Sequence, residues 1–252
     1  MLDFRTSASY DLVICDIDGC LTPEAPGPLD LAGLARVAEY NRLAAQRRDR
    51  PLLTLCSGRP VSYVEAICRM LHNCLVPAIA ENGVWLYDPL SNVPEVDPAI
   101  TAEQLDMVQA ATELLTARFA PDGLTLQAGK VASVTLFHPS HEQLLKILPE
   151  VAREVAQQQW PLRVSMSWHY VNCDLPHISK ASGVQRLLAQ TRIPPTRTLG
   201  IGDTVGDIAL AHNVSFFACP ANADAELKRI AGYVSPLAEV AGVLDILQQF
   251  AV

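Results

Sequence analysis

Charge is scarce in this 252-residue chain: only 18% of the residues are Asp, Glu, Lys or Arg. With half the residues hydrophobic, that scarcity excludes a disordered charged tail and leaves enough apolar mass for a full core. Basic residues are the scarcer sign, 19 Lys and Arg against 27 Asp and Glu, for a net charge of −8. A nucleic-acid surface needs clustered Lys and Arg, so none is expected. No apolar run approaches the ~18 residues of a membrane span. No CxxC pair occurs. The seven cysteines stand scattered at 15, 20, 56, 68, 74, 173 and 219, an odd number in mostly apolar stretches. They read as reduced, buried thiols, which fits a cytoplasmic protein. The opening residues Met1 to Thr6 show no apolar h-region, so no signal peptide is expected. Repeats and low-complexity tracts are missing too.

What is present is a rhythm. Short apolar strands alternate with helical patterns, the signature of parallel β-α-β architecture. Leu12-Val13-Ile14-Cys15 is the first strand. A helix over 30–48 follows, with Asp30 as its N-cap. A second strand, 51–56, ends at Ser57-Gly58-Arg59-Pro60, and Pro60 opens a helix over 61–71. A third, Ala78-Ile79-Ala80, ends at Glu81-Asn82-Gly83. The rhythm then breaks. Residues 84–173 carry two long helical segments, 101–119 and 141–158, with alternating strands near 124–128, 131–137 and 162–167 and a turn at Gly129-Lys130. This reads as an inserted α+β unit. The α/β pattern resumes with a helix over 181–190, a strand over 198–201, a strand over 215–218, and helices over 223–231 and 238–250. The expected organisation is a core of 1–83 and 174–252 with a cap of 84–173.

Four groups of polar residues sit at strand ends or helix starts. Asp16 and Asp18, two apart on an extended backbone, project to the same side. Two carboxylates so close repel unless a cation or a shared proton intervenes. Carboxyl ends of parallel strands are where α/β proteins bind ligands. Ser57 with Gly58 is the second group, Lys180 the third, and Asp203 with Asp207 the fourth. For a phosphate ester the set is sufficient. Asp16 can attack phosphorus, and Asp18 can protonate the leaving oxygen and then activate water. Asp16, Asp203 and Asp207 offer hard oxygen ligands suited to Mg²⁺. Lys180 and Ser57 can stabilise the phosphoryl oxygens. Each group alone has an ordinary reading as a turn, a cap or a surface charge. Their joint order carries the argument.

With these residues in view, the chain resembles the phosphatases of the haloacid dehalogenase superfamily. Asp16-Ile17-Asp18-Gly19-Cys20-Leu21-Thr22 matches that family's DxDGxLT. Ser57-Gly58-Arg59, Lys180 and Gly202-Asp203-Thr204-Val205-Gly206-Asp207 follow as its later motifs. The insert between the second and third motifs, with Glu81-Asn82-Gly83 before it and Cys219-Pro220-Ala221-Asn222-Ala223 after motif four, is similar to subfamily IIB, whose members carry a C2, Cof-type cap on a Rossmann-like core. Ser167-Trp168-His169 and Pro220-Ala221-Asn222-Ala223 most resemble archaeal-type phosphoglycolate phosphatases, with sucrose-phosphate phosphatase-like proteins further off. The resemblance implies Asp16 as nucleophile, Asp18 as acid/base and metal ligand through its carbonyl, Asp203 as direct ligand, and Asp207 as ligand directly or through water. It implies a Mg²⁺-dependent phosphomonoesterase for a small phosphorylated metabolite, phosphoglycolate or a sugar phosphate. Ser57, Gly58, Arg59, Asn82, His169 and Asn222 are the expected substrate contacts. His169 either meets substrate or packs beside Trp168, and Arg59 either reaches a substrate anion or pairs with a core acid. One departure stands out: many members carry Asn where this chain has Gly206. A phosphomutase and a non-enzymatic phospho-aspartate signalling domain are the rival readings. No nucleic-acid or membrane partner is expected, and the oligomeric state is open, a homodimer included.

Overall fold

A computed structural model describes residues 5–250. In chain order the elements are β1 (Leu12–Cys15), α1 (Leu31–Arg47), β2 (Leu52–Leu55), α2 (Val61–Met70), β3 (Ala78–Ala80), β4 (Trp85–Asp88), β5 (Val93–Val96), α3 (Ala102–Phe119), β6 (Thr125–Leu126), β7 (Ser133–Phe137), α4 (His141–Gln157), β8 (Arg163–Met166), β9 (Tyr170–Asp174), α5 (Lys180–Thr191), β10 (Thr198–Ile201), α6 (Ile208–Ala211), β11 (Phe216–Cys219), α7 (Ala225–Ile230), β12 (Tyr233–Val234) and α8 (Glu239–Gln249). The described residues form two compact units, one of 5–95 and 180–250, the other of 96–179.

The first unit is built on a parallel sheet in the order β12-β11-β10-β1-β2. All four residues of β1, β2 and β10 are buried. That is why these strands read as unbroken apolar runs: a parallel sheet is covered on both faces. The faces can be followed residue by residue along β1. Val13 and Cys15 join the cluster of Leu34, Val37, Val64 and Val243 from α1, α2 and α8. Leu12 and Ile14 join that of Val184, Leu187 and Leu210 from α5 and α6. Helix starts follow the sequence. Asp30 accepts the amide of Gly33 at 2.9 Å, and α1 ends at Arg48 in a left-handed conformation.

Beyond β2, a parallel bridge from Cys56 to Ile79 brings in β3, which heads the three-stranded sheet β3-β4-β5. β4 pairs antiparallel with β3, Ile79 opposite Leu86. This pairing corrects the expected boundary. Residues 84–95 belong with the first unit because β4 completes a hairpin on β3, and on the return the division falls at Ser179/Lys180 rather than at 173/174.

The chain leaves β1 for β2 on one side, and β10 pairs with β1 on the other. The strand order therefore reverses beside β1, and a crevice forms at the carboxyl ends of such strands.

The second unit is an antiparallel sheet, β6-β7-β9-β8, with α3 packed on β7 and α4 on β8 and β9. Leu144, Ile147, Val151 and Val155 form the buried stripe of α4, at helical spacing. Thr101 and Gln104 close α3 with a reciprocal capping box. β9 lies in register with β7 and β8 at its centre. The sequence reading gave no separate strand there; Ser167-Trp168-His169 is the short turn that joins β8 to β9.

Candidate active site

The crevice collects four loop starts from one sheet edge. Asp16 follows β1, Ser57 follows β2, Asp203 follows β10, and Lys180 is the first residue of α5 rather than the residue ahead of it. Asp16 is fixed on two sides. Its Oδ1 accepts the amide of Ile17 at 2.7 Å, and its Oδ2 accepts from Lys180 Nζ at 2.5 Å. Lys180 also donates to Asp207 Oδ1 at 2.6 Å. One buried ammonium thus bridges two buried carboxylates.

Asp207 has no idle oxygen. Its Oδ2 accepts the amides of Asp203 and Thr204, both at 3.1 Å. Asp207 is thus oriented by Lys180 and by the backbone of its own turn, with Gly206 adding no side chain beside it. Gly202 permits that turn, since a Cβ there would lie 2.4 Å from the Cβ of Asp207.

Asp203 presents a contrast. Its carboxylate lies 4.0 Å from Cys20 Sγ, and among the described residues no cation pairs with it. It sits against Gly19, whose φ of +72° and closeness to Asp203, 1.9 Å from Oδ2 to a built Cβ, admit only glycine.

The electrostatics follow from burial and crowding. Burial, then the charge of Asp207, pushes the Asp16 carboxyl up to about 8 against the pull of Lys180. Burial, then Asp16 and Asp207, pushes Asp203 up to about 9. Burial and then Asp18 raise Glu24 to about 7. Burial alone would lower Lys180, but Asp16 and Asp207 hold it well above an ordinary lysine. Asp16, Asp18, Asp203 and Asp207 set four carboxylates against the two cations Lys180 and Arg59. The surplus is that of one divalent cation. Oxygens of Asp16, Asp203 and Asp207 lie within 4.8 Å of one another, and an all-carboxylate donor set suits a hard ion such as Mg²⁺. The residues present therefore fit a magnesium site.

Lys180 is the residue whose loss is expected to cost most stability here. In Lys180→Met without divalent cation, Asp16 and Asp207 lose their common partner. Breaking such a buried pair costs about 3–5 kcal/mol. Urea unfolding in EDTA measures it, and a loss below about 1 kcal/mol would contradict the bridging role.

The other expected residues divide. Ser57 is buried, its Oγ accepting the amide of Arg59 at 3.2 Å, and it stays at the crevice. Asn82 has a left-handed φ of 54°. Its amide donates to the Ser57 carbonyl, and its side chain lies over Gly58. Arg59 takes the second of its two expected roles, pairing with an acid, and the expectation for Asn222 is corrected. Arg59 is engaged by Asp18, through Nε to Oδ2 at 2.6 Å and Nη2 to Oδ1 at 2.7 Å. Asn222 is a strap, donating to the Gly19 carbonyl at 2.8 Å and accepting the Glu239 amide at 2.8 Å; both ends of its amide are occupied. His169 belongs to the second unit. Its ring lies 6.1 Å from that of Phe137, and its buried Nδ1 has no hydrogen-bond partner among the described residues. The Trp168 ring lies 5.3 Å from that of His141, tilted by 44°.

Sequence reasoning missed Asp224 and Glu24. Asp224 accepts the amide of Val205 and donates its own to the Asp203 carbonyl, tying down the motif-four turn. Nothing in the spacing marked either residue.

A family model for haloacid dehalogenase-like hydrolases matches residues 120–247, just over half of the chain. A phosphoglycolate phosphatase of Methanothermobacter thermautotrophicus is 32% identical over 75 residues, 30% of this chain and 34% of that one. The match thus spans about a third of that relative's length. Among solved structures, one from Thermoplasma acidophilum aligns with a TM-score of 0.72 at 20% identity, covering 94% of this chain and 96% of that one. A haloacid dehalogenase-like hydrolase from Bacteroides thetaiotaomicron aligns at 0.68 and 16%, covering 95% and 99%. At these identities the structural likeness is one of fold: a Rossmann-like core with an inserted cap.

Proposed function

The chain belongs to the haloacid dehalogenase-like hydrolases, and from that footing we propose that it is a Mg²⁺-dependent phosphomonoesterase working through a phosphorylated Asp16. The observation that carries the reading is the Asp16 carboxylate at the end of a central strand, paired to Lys180 at 2.5 Å and set within ligand reach of Asp203.

The mechanism follows from the side chains. An oxygen of Asp16 attacks phosphorus and forms an acyl-phosphate, so one difficult hydrolysis becomes two easier transfers. Lys180 neutralises charge spreading onto the phosphoryl oxygens, already in place and desolvated. The Ser57 hydroxyl donates to one of those oxygens. Asp18 gives its proton to the leaving oxygen, then takes one from the water that attacks the phospho-aspartate. Asp203, with Asp16 and Asp207, would hold Mg²⁺, which supplies Lewis-acid stabilisation of the phosphoryl group when bound. The match to a phosphoglycolate phosphatase makes phosphoglycolate the first substrate to try.

Phosphate release from a panel of esters in Mg²⁺ tests the reading. The panel is phosphoglycolate, hexose phosphates, sucrose phosphate and 4-nitrophenyl phosphate. Release of inorganic phosphate supports a phosphatase. Transfer to a second hydroxyl, released only with a bisphosphate activator, points to a mutase. A stable phosphoprotein without turnover points to a signalling domain.

A further inference from the structure

Asp18 does not stand free in the crevice. Both of its oxygens are held by the Arg59 guanidinium, at 2.6 and 2.7 Å, a planar two-point grip that lysine cannot copy. The grip is itself supported. The guanidinium lies over the Tyr63 ring, 5.2 Å from its centroid. From the other side, Thr22 Oγ1 donates to Asp18 Oδ1 at 3.2 Å. Asp18 is thus held between Thr22 and an Arg59 that rests on Tyr63. The Arg59 backbone is fixed as well: the amide of Glu81 donates to the Arg59 carbonyl at 2.9 Å. Asp18 and Arg59 remain about one-fifth exposed at their side chains, so the pair faces the crevice and not the core.

We propose that Arg59 is a positioning residue for Asp18, holding its carboxyl at the place from which it passes a proton to the leaving oxygen. The inference rests on the acid/base assignment of Asp18. In the step itself, the Asp18 O–H bond breaks and its proton goes to the bridging oxygen as the P–O bond cleaves. Its electron pair stays on Asp18, and an Asp16 oxygen bonds phosphorus. A carboxyl that carries a proton still has one acceptor oxygen, so one Arg59 N–H keeps its hold while the other yields.

Positioning of an acid has a signature that phosphate binding lacks. An alkoxide needs its proton at the moment of cleavage, whereas 4-nitrophenolate leaves without one. The readout is kcat/KM, which reports the steps through formation of the phosphoenzyme. In Arg59→Gln, kcat/KM on an alkyl phosphate should fall about 100-fold, the scale of general-acid catalysis. On 4-nitrophenyl phosphate it should fall at least tenfold less. Arg59→Lys, with one contact in place of two, should recover part of the alkyl activity. Tyr63→Leu, which leaves the ion pair but removes the ring beneath it, should show the same bias more weakly, and serves if Arg59→Gln fails to fold. Equal losses on both esters would overturn the proposal and place Arg59 on the phosphoryl group. No loss on either would reduce it to a surface ion pair. A wild-type protein inactive on every ester would sink the phosphatase reading first, which is a different result.

Discussion

Asp16→Asn will abolish ester turnover, by about 10⁴-fold or more, while leaving a folded protein. The amide keeps the shape of the carboxyl and can still meet the Ile17 amide with its oxygen, but it cannot attack phosphorus and survive as a leaving group. Stability is expected to hold or to rise. Burial and Asp207 make ionised Asp16 costly in the folded protein, and the Asn side chain removes that charge, while Lys180 retains Asp207 at 2.6 Å. Steady-state phosphate release and a thermal melt of the same sample check both halves. Activity within tenfold of wild type would exclude Asp16 as nucleophile. Inactivity with a collapsed melt would say only that the site is structural.

The contrast with Lys180→Met sharpens this. Both substitutions remove one charge from the same ion pair, yet they should move stability in opposite directions. Asp16 is one of four crowded acids, whereas among the described residues Lys180 is the cation shared by two of them. The sign is set by the cluster's surplus of negative charge, not by the pair viewed alone.

That surplus explains which parts of the site could be read from the chain. Asp16, Asp203 and Lys180 were legible because each follows or begins an element whose pattern is strong: fully buried β1 and β10, and the amphipathic α5. A parallel strand's carboxyl end is a position that sequence can locate. Asn222 was mislocated, and the role of Arg59 left between two readings, for the opposite reason. Each sits on a loop, and what a loop side chain faces depends on a partner distant in sequence: Asp18 for Arg59, 41 residues away, and Gly19 for Asn222, 203 residues away. The cap boundary failed through β4, whose role as the second strand of a hairpin on β3 is a matter of pairing, not of composition. The helix cap Asp30 succeeded because capping is local.

Chelation will silence the enzyme, and it will expose a pH dependence that magnesium hides. Without a cation, Asp16 and Asp203 have folded pKa values near 8 and 9, against about 3.9 in an unfolded chain. The folded state therefore binds more protons than the unfolded state between those limits. Stability then falls as pH rises: the contribution of these two groups is whole below about 4 and is lost progressively up to about 9. Mg²⁺ binds the deprotonated carboxylates and the folded form alone, so its stabilisation follows the opposite course and grows with pH. The expected record is a metal-free melting temperature that declines from pH 6 to pH 9, and a Mg²⁺-induced rise that widens over the same range. Thermal melts in EDTA and in millimolar Mg²⁺, taken at four pH values, measure both. In Asp203→Asn the widening should shrink, because the carboxylate without a cation of its own is gone. A Mg²⁺ effect that is flat in pH, or unchanged in Asp203→Asn, would place the ion elsewhere. Full activity in EDTA would remove the metal from the mechanism and leave Lys180 as the cation that answers the phosphoryl charge.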